Sequence, residues 1–182
     1  MIYIVLIRGV NVGGKNKLKM EDLKLALLAS GFERVKTYIQ SGNVVLKSSD
    51  DEASVKMKIE SLLLKTFGIA TECLVRTYEA FEGIYRYEAF KTTEVQQAIL
   101  KNTKGESQYI LFYNQMPTTI EDGCEDAAGD KYSRRNREVY LLLQQSIRDS
   151  KLAVMLQKQG ETCTARNLKT VGKIFELAEK MK

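Results

Sequence analysis

The chain has 182 residues, of which 44 % are hydrophobic and 28 % charged, with a net charge of +5. These are ordinary globular values, and no stretch reaches the ~20 apolar residues of a membrane span. Histidine is absent, which excludes histidine-activated Ser or Cys nucleophiles, imidazole general bases and the commonest metal ligand. Cys73, Cys124 and Cys163 are odd in number and widely spaced, which argues against a disulfide framework and a zinc site. No metal and no cofactor are expected. Met1-Ile2-Tyr3 enters a strand without the basic start of a signal peptide, so the expected location is cytoplasmic. A sequence pI of about 9.0 biases the chain mildly towards anionic partners.

Tyr3 to Arg8 reads as the first strand. Helix one opens near Met20, with Met20, Leu23, Ala26, Leu27 and Ser30 on one stripe and Gly31 at its end. Val35, Thr37 and Ile39 alternate with Lys36, Tyr38 and Gln40, the period of a half-buried strand. Gln40-Ser41-Gly42-Asn43 turns into Val44-Val45-Leu46-Lys47. Asp50 or Asp51 caps a second helix whose Val55, Ile59, Leu62, Leu63 and Phe67 recur at helical spacing, stopped by Gly68. Thr71 to Arg76 is a further strand, which completes a βαββαβ order.

Short helices are expected from Tyr78 to Gln97. Tyr109 to Asn114 then echoes the first strand, Pro117 opens a short helix through Ala128, and a hairpin turns around Arg135-Asn136-Arg137. A helix from Ser150 to Gln159, a strand at Thr162 to Ala165 and a last helix from Asn167 follow. The expected fold class is α+β, a tandem repeat of two ferredoxin-like βαββαβ units with an appended C-terminal helix. Residues 1–77 form the first unit, 78–106 a helical connector, and 107–182 the second unit with that helix. The offset between repeats falls from 106 at Tyr3/Tyr109 to 93 at Asn43/Asn136, so the second half lacks the long loop of the first.

That loop runs from Arg8 through Gly9, Asn11, Gly13, Gly14, Lys15, Asn16 and Lys17 to Lys19. Its glycines reach positive φ and allow close backbone approach to a ligand, while its cations attract anions. Gly9 and Gly14-Lys15 fit part of the phosphate-binding pattern GxxxxGK[ST], but Asn16 stands where the metal-binding hydroxyl belongs. A 4-1-3-2 strand order would bring this loop and the Gln40–Asn43 hairpin to one end of the sheet. Arg8, Asn11, Gly13, Gly14, Lys15, Lys17, Tyr38, Gln40, Ser41 and Asn43 are the resulting candidate ligand-binding residues. Arg166 and Asn167, read at the start of the last helix, join them as a second anion contact.

The acidic Glu121, Asp122, Glu125 and Asp126 lack the spacing of a calcium loop and read as a solvated helix face. An RNA-recognition module shares the βαββαβ order, but Val44-Val45-Leu46 carries none of its stacking aromatics. Basic clusters at Lys15/Lys17/Lys19 and Arg166/Lys169/Lys173 suit phosphates without reading bases.

Residues 8–17, Thr37 to Val45, Ser150-Lys151-Leu152 and Thr164-Ala165-Arg166-Asn167 resemble domain of unknown function 1697, a family of bacterial proteins of about this length. The resemblance implies a duplicated ferredoxin-like fold and brings no established reaction. Family members usually carry Trp where this chain has Leu168. The expected function is binding of a phosphorylated or nucleotide-like anion, nucleic acid included, at the glycine-rich loop. The alternative is a protein–protein interaction or homo-oligomerisation module without catalytic activity. Expected partners are an anionic small molecule or nucleic acid and no membrane, with the chain a monomer or homodimer. No catalytic base is identifiable in the sequence.

Overall fold

The computed structural model describes residues 1–159 and 162–182. It divides into two compact units, one of residues 1–85 with 172–182, the other of residues 86–171. The protein is α+β, with two antiparallel sheets and six helices among the described residues.

The first unit runs β1 (Ile2–Ile7), α1 (Met20–Ala29), β2 (Glu33–Tyr38), β3 (Asn43–Lys47), α2 (Glu52–Phe67), β4 (Cys73–Thr77) and α3 (Tyr78–Tyr85). Its sheet has the order β2-β3-β1-β4. The central β1 sets Tyr3 opposite Leu46 and Thr77, and Ile4 opposite Val45 and Arg76. Alternation sends Tyr3, Val5 and Ile7 into one core with Leu23 and Leu27 of α1 and Val55, Ile59 and Leu63 of α2. Ile4, Leu6, Leu74 and Arg76, on the other face, are buried as well.

The helix ends follow their local chemistry. Gly31 at φ +90 follows α1, and its N–H and that of Phe32 close onto Leu28 and Leu27 carbonyls. Asp51 caps α2 by accepting from the Ser54 N–H at 2.8 Å. Gly68 ends α2 at φ +67. Ile39 departs from the expected alternation. It lies beyond β2, at φ +47 and 49 % exposed, because the chain has already begun the turn that Gly42 completes.

The second unit runs α4 (Thr92–Lys101), β5 (Gln108–Tyr113), β6 (Gly123–Glu125), β7 (Lys131–Arg135), β8 (Glu138–Leu142), α5 (Lys151–Lys158) and β9 (Cys163–Asn167). Its sheet order is β6-β7-β8-β5-β9. The sixth helix, α6 (Leu168–Glu179), crosses the boundary, with Gly172 onward in the first unit. Leu111, Tyr113, Val139 and Leu141 form a core with Leu152 and Leu156 of α5, and the Tyr113 hydroxyl donates to the Leu156 carbonyl at 2.7 Å.

The helix expected from Pro117 to Ala128 is absent, and its place is taken by turns and the edge strand β6. Local chemistry and strand pairing both oppose the helix. The Asp126 carboxylate accepts from the Ala128 and Asp130 N–H groups at 2.9 and 3.0 Å, a turn that competes with helical bonding. Gly123 passes so close to β7 that an added Cβ would lie 2.9 Å from the Tyr132 carbonyl oxygen. Glu121, Asp122 and Glu125 are therefore exposed on or beside this edge strand rather than on a helix face, while Asp126 is half-buried in the turn.

Candidate functional site

Ile7 ends β1 and the chain leaves the sheet at Arg8, an exposed side chain. The root of the loop is held from both strand neighbours. Ile7 N–H donates to the Gly42 carbonyl at 2.8 Å, and Arg8 N–H donates to the Glu72 carbonyl at 3.1 Å. The Thr71 hydroxyl donates to the Arg8 carbonyl at 2.7 Å.

Beyond this root the loop folds on itself as a miniature hairpin. Asn11 N–H donates to the Asn16 carbonyl at 3.1 Å, and Lys15 N–H to the Val12 carbonyl at 3.0 Å. Gly13 and Gly14 form the two-residue turn between them at φ +58 and +77, the left-handed pair that such turns require. Asn16, at φ +48, donates its side-chain amide to the Gly9 carbonyl at 3.0 Å. The helix opens only at Met20, so Lys15 does not begin a helix and the phosphate-binding pattern lacks its geometry.

The loop and the Gln40–Asn43 hairpin meet, as the strand order requires. The Asn11 amide nitrogen donates to the Leu18 and Gln40 carbonyls, both at 2.8 Å, while its oxygen accepts from the Leu18 N–H at 2.8 Å. One side chain thus closes the loop and ties it to the hairpin. Gly42, at φ +75, fits under Val10 so closely that a Cβ there would lie 2.6 Å from the Val10 methyl carbon. Asn43, 1 % exposed, donates to the Tyr38 carbonyl and the Ser41 hydroxyl at 3.1 and 2.9 Å.

Two groups of expected ligand residues therefore separate. Asn11 and Asn43 spend their amides on the fold of the loop and the turn. Arg8, Lys15, Lys17 and Lys19 are exposed, and among the described residues no carboxylate pairs with any of them. Gln40 is exposed, while Ser41 and Tyr38 are half-buried. Beside Arg8 lies an open groove of about 620 Å³ between the outer face of α2 and the approach to β4, bordered by Met57, Leu64 and Glu72. The sequence does not mark this groove, because Met57 and Leu64 fall outside the core stripe of α2 and no local pattern joins them to Arg8.

In the second unit, Arg166 lies within β9 rather than at the helix start, and it is 8 % exposed. Its Nη1 donates to the Thr164 hydroxyl at 2.9 Å and to the Ala165 carbonyl at 2.8 Å. Burial lowers its pKa to about 10, since removing water disfavours the charged form. Asn167 accepts from the Thr170 N–H at 2.8 Å, the bond of a helix cap, and half-buried Leu168 opens α6. The strand runs longer than expected because β9 continues pairing with β5 through Asn167, opposite Tyr109.

The family model of the proteins of unknown function called DUF1697 matches residues 1–140. No curated protein matches the chain. Among solved structures, the conserved bacterial protein SP0830 from Streptococcus pneumoniae is similar, at 23 % identity and a TM-score of 0.70. The match covers 97 % of this chain and 98 % of that one, and it speaks to the fold alone.

Proposed function

We propose, from the premise that this chain belongs to the DUF1697 family of proteins of unknown function, that the glycine-rich loop binds a phosphorylated or nucleotide-like anion. The observation that carries this reading is the set of exposed cations Arg8, Lys15, Lys17 and Lys19 on a loop with no acidic residue from 8 to 19. The Asn11 bonds brace that loop before any ligand arrives, so little ordering entropy opposes binding. Arg8 and the lysines supply the attraction, with Gln40 and Ser41 as polar neighbours. Buried Arg166 and the capping Asn167 support the fold of the second unit in this reading rather than the ligand.

The test is a thermal-shift and titration series with pyrophosphate, ATP and sugar phosphates on the wild type and on Lys15→Ala/Lys17→Ala. A ligand that binds the native state raises its melting temperature. The double variant should melt within about 0.5 kcal/mol of the wild type, as exposed substitutions do, and should lose the shift. An equal shift in both proteins would place binding elsewhere.

The fold reading extends in the same way. The two sheets share a ferredoxin-like plan, with turns and the edge strand β6 in the second unit where the first has α1, a view supported by matching registers. Tyr3 faces Leu46 and Thr77, and Tyr109 faces Leu141 and Asn167. Arg76 and Arg166 stand opposite Ile4 and Ile110 on the last strands. The same registers pair Asn43 with Glu138 rather than Asn136, since these face Leu6 and Phe112.

A second reading, an interaction module, is favoured by the groove beside Arg8, where Met57 and Leu64 are 64 % and 55 % exposed. Sedimentation of the wild type against Met57→Ser/Leu64→Ser separates it from the first. Self-association lost in that variant would support a homo-oligomer built on this face.

A further inference from the structure

We propose that the loop end of the first unit takes a nucleic-acid strand with unpaired bases, its phosphates on Arg8, Lys15 and Lys17 and its bases against Val12 and Ile39. This rests on the reading of the loop as an anion site and names the class of anion.

Two aliphatic side chains stand in solvent where the loop and hairpin join. Val12 is 64 % and Ile39 49 % exposed. They flank the clasp directly, since Val12 follows Asn11 and Ile39 precedes Gln40, whose carbonyl accepts the Asn11 amide at 2.8 Å. Single exposed aliphatics are common and need no explanation. The backbone of Ile39 does need one. At φ +47 it occupies a region that β-branched residues rarely adopt and that costs free energy, and at 49 % exposure only about half of its surface packs against the protein to offset that cost. Asn or Gly would fit the same turn without strain.

The two segments that carry these side chains hold charge of one sign, while Glu72 stands beside Arg8 on the groove side. No Asp or Glu occurs from Arg8 to Lys19 or from residue 35 to residue 49. A small phosphate would engage the cations and leave both aliphatic surfaces wet. An unpaired strand engages both, with its backbone on the cations, its base faces over Val12 and Ile39, and its base edges within the polar chemistry of Gln40 and Ser41. A duplex hides those base faces within its stack. An anionic membrane would match the charge, but two aliphatic residues among Gly, Asn, Gln and Ser offer little area for insertion, on which such binding depends.

The experiment is fluorescence anisotropy of the full chain with labelled single-stranded oligo-dT and oligo-U across a salt series. Val12→Ser/Ile39→Asn and Lys15→Ala/Lys17→Ala are measured beside the wild type. ATP, blunt duplex and phosphatidylserine vesicles serve as the other probes. The Val12 turn bond is made by its backbone and Asn tolerates the Ile39 φ, so thermal melting should report a folded variant; Ile39→Asn alone serves if the double variant does not fold.

Single-strand binding should weaken about tenfold in Val12→Ser/Ile39→Asn, the loss expected from burying two partly exposed aliphatic side chains, with an unchanged salt slope. Lys15→Ala/Lys17→Ala should instead flatten the slope by about 0.7 per lost phosphate contact. ATP binding without oligonucleotide binding would overturn this inference and leave the anion reading intact. Failure of every anionic probe would overturn both. Preference for duplex or vesicles, or strand binding indifferent to Val12 and Ile39, would also overturn it.

Discussion

The Asn11 side chain reaches the backbone of Gln40 at 2.8 Å, joining residues 29 apart in sequence. The same amide group exchanges two hydrogen bonds with Leu18, so one side chain sets the shape of the loop and its seat on the hairpin. Asn also suits the position itself, since φ is +55 there and Asn enters the left-handed region more readily than most residues.

Asn11→Ala should therefore lower stability by about 2 kcal/mol, the loss of several partly exposed hydrogen bonds together with left-handed strain. Urea denaturation measures it. Asn11→Asp retains the acceptor for the Leu18 N–H and loses both donations, so it should fall between Ala and wild type. A change below a few tenths of a kcal/mol would mean that the clasp contributes nothing net.

Gly42 and Gly14 share a positive φ but differ in surroundings. A Cβ on Gly42 meets Val10 at 2.6 Å and the Ile7 Cβ and carbonyl at 3.0 and 3.1 Å, whereas one on Gly14 meets nothing within 4 Å. Gly14→Ala should cost about 1 kcal/mol from backbone strain alone. Gly42→Ala adds a collision with a packed β-branched side chain and with backbone, and should cost about 3 kcal/mol or more. Equal losses in parallel denaturation curves would contradict the close contact of hairpin and loop.

Acid should destabilise the first unit through the start of α2. The bonds from Lys58 and Ser48 to Asp50 hold its carboxyl below the ordinary 3.8. The bonds from Ser54 do the same for Asp51. Groups with a depressed folded pKa contribute stability above their unfolded pKa and lose it as pH falls through the folded value. Melting temperature should fall below about pH 4, with a shallower acid limb in Asp51→Asn. An unchanged limb would assign the acid sensitivity to other carboxylates.

Arg166 should behave as a buried residue. Arg166→Ala leaves the Ala165 carbonyl and Thr164 hydroxyl without its donation and opens a cavity, so a loss of about 3 kcal/mol is expected. Arg166→Lys should also destabilise, because an ammonium group does not reproduce the planar donor fork. Wild-type stability in the Lys variant, read by the same urea titration, would return this side chain to the candidate ligand set.

The local periodicities of the chain were sufficient for most elements. Val55, Ile59, Leu62 and Leu63 mark α2, Asp51 and Gly68 mark its ends, and Arg135-Asn136-Arg137 marks a hairpin turn, because each signal is carried by neighbours along the chain. The exposed cations of the loop were equally legible, since a run of Gly, Asn and Lys has few apolar groups to bury. The roles of Asn11 and Asn43 were not legible. An amide that donates to a ligand and one that donates to Gln40 or Tyr38 look the same in sequence, and only the folded positions of those carbonyls separate them. The segment from Pro117 to Ala128 shows the same limit, as pairing of Cys124 with Tyr132 overrides a weak helical preference. Arg166 shows it for charge. Sequence alone supplies a guanidinium, whereas burial on β9 depends on which residues the sheet brings over it, and long-range packing alone decides that.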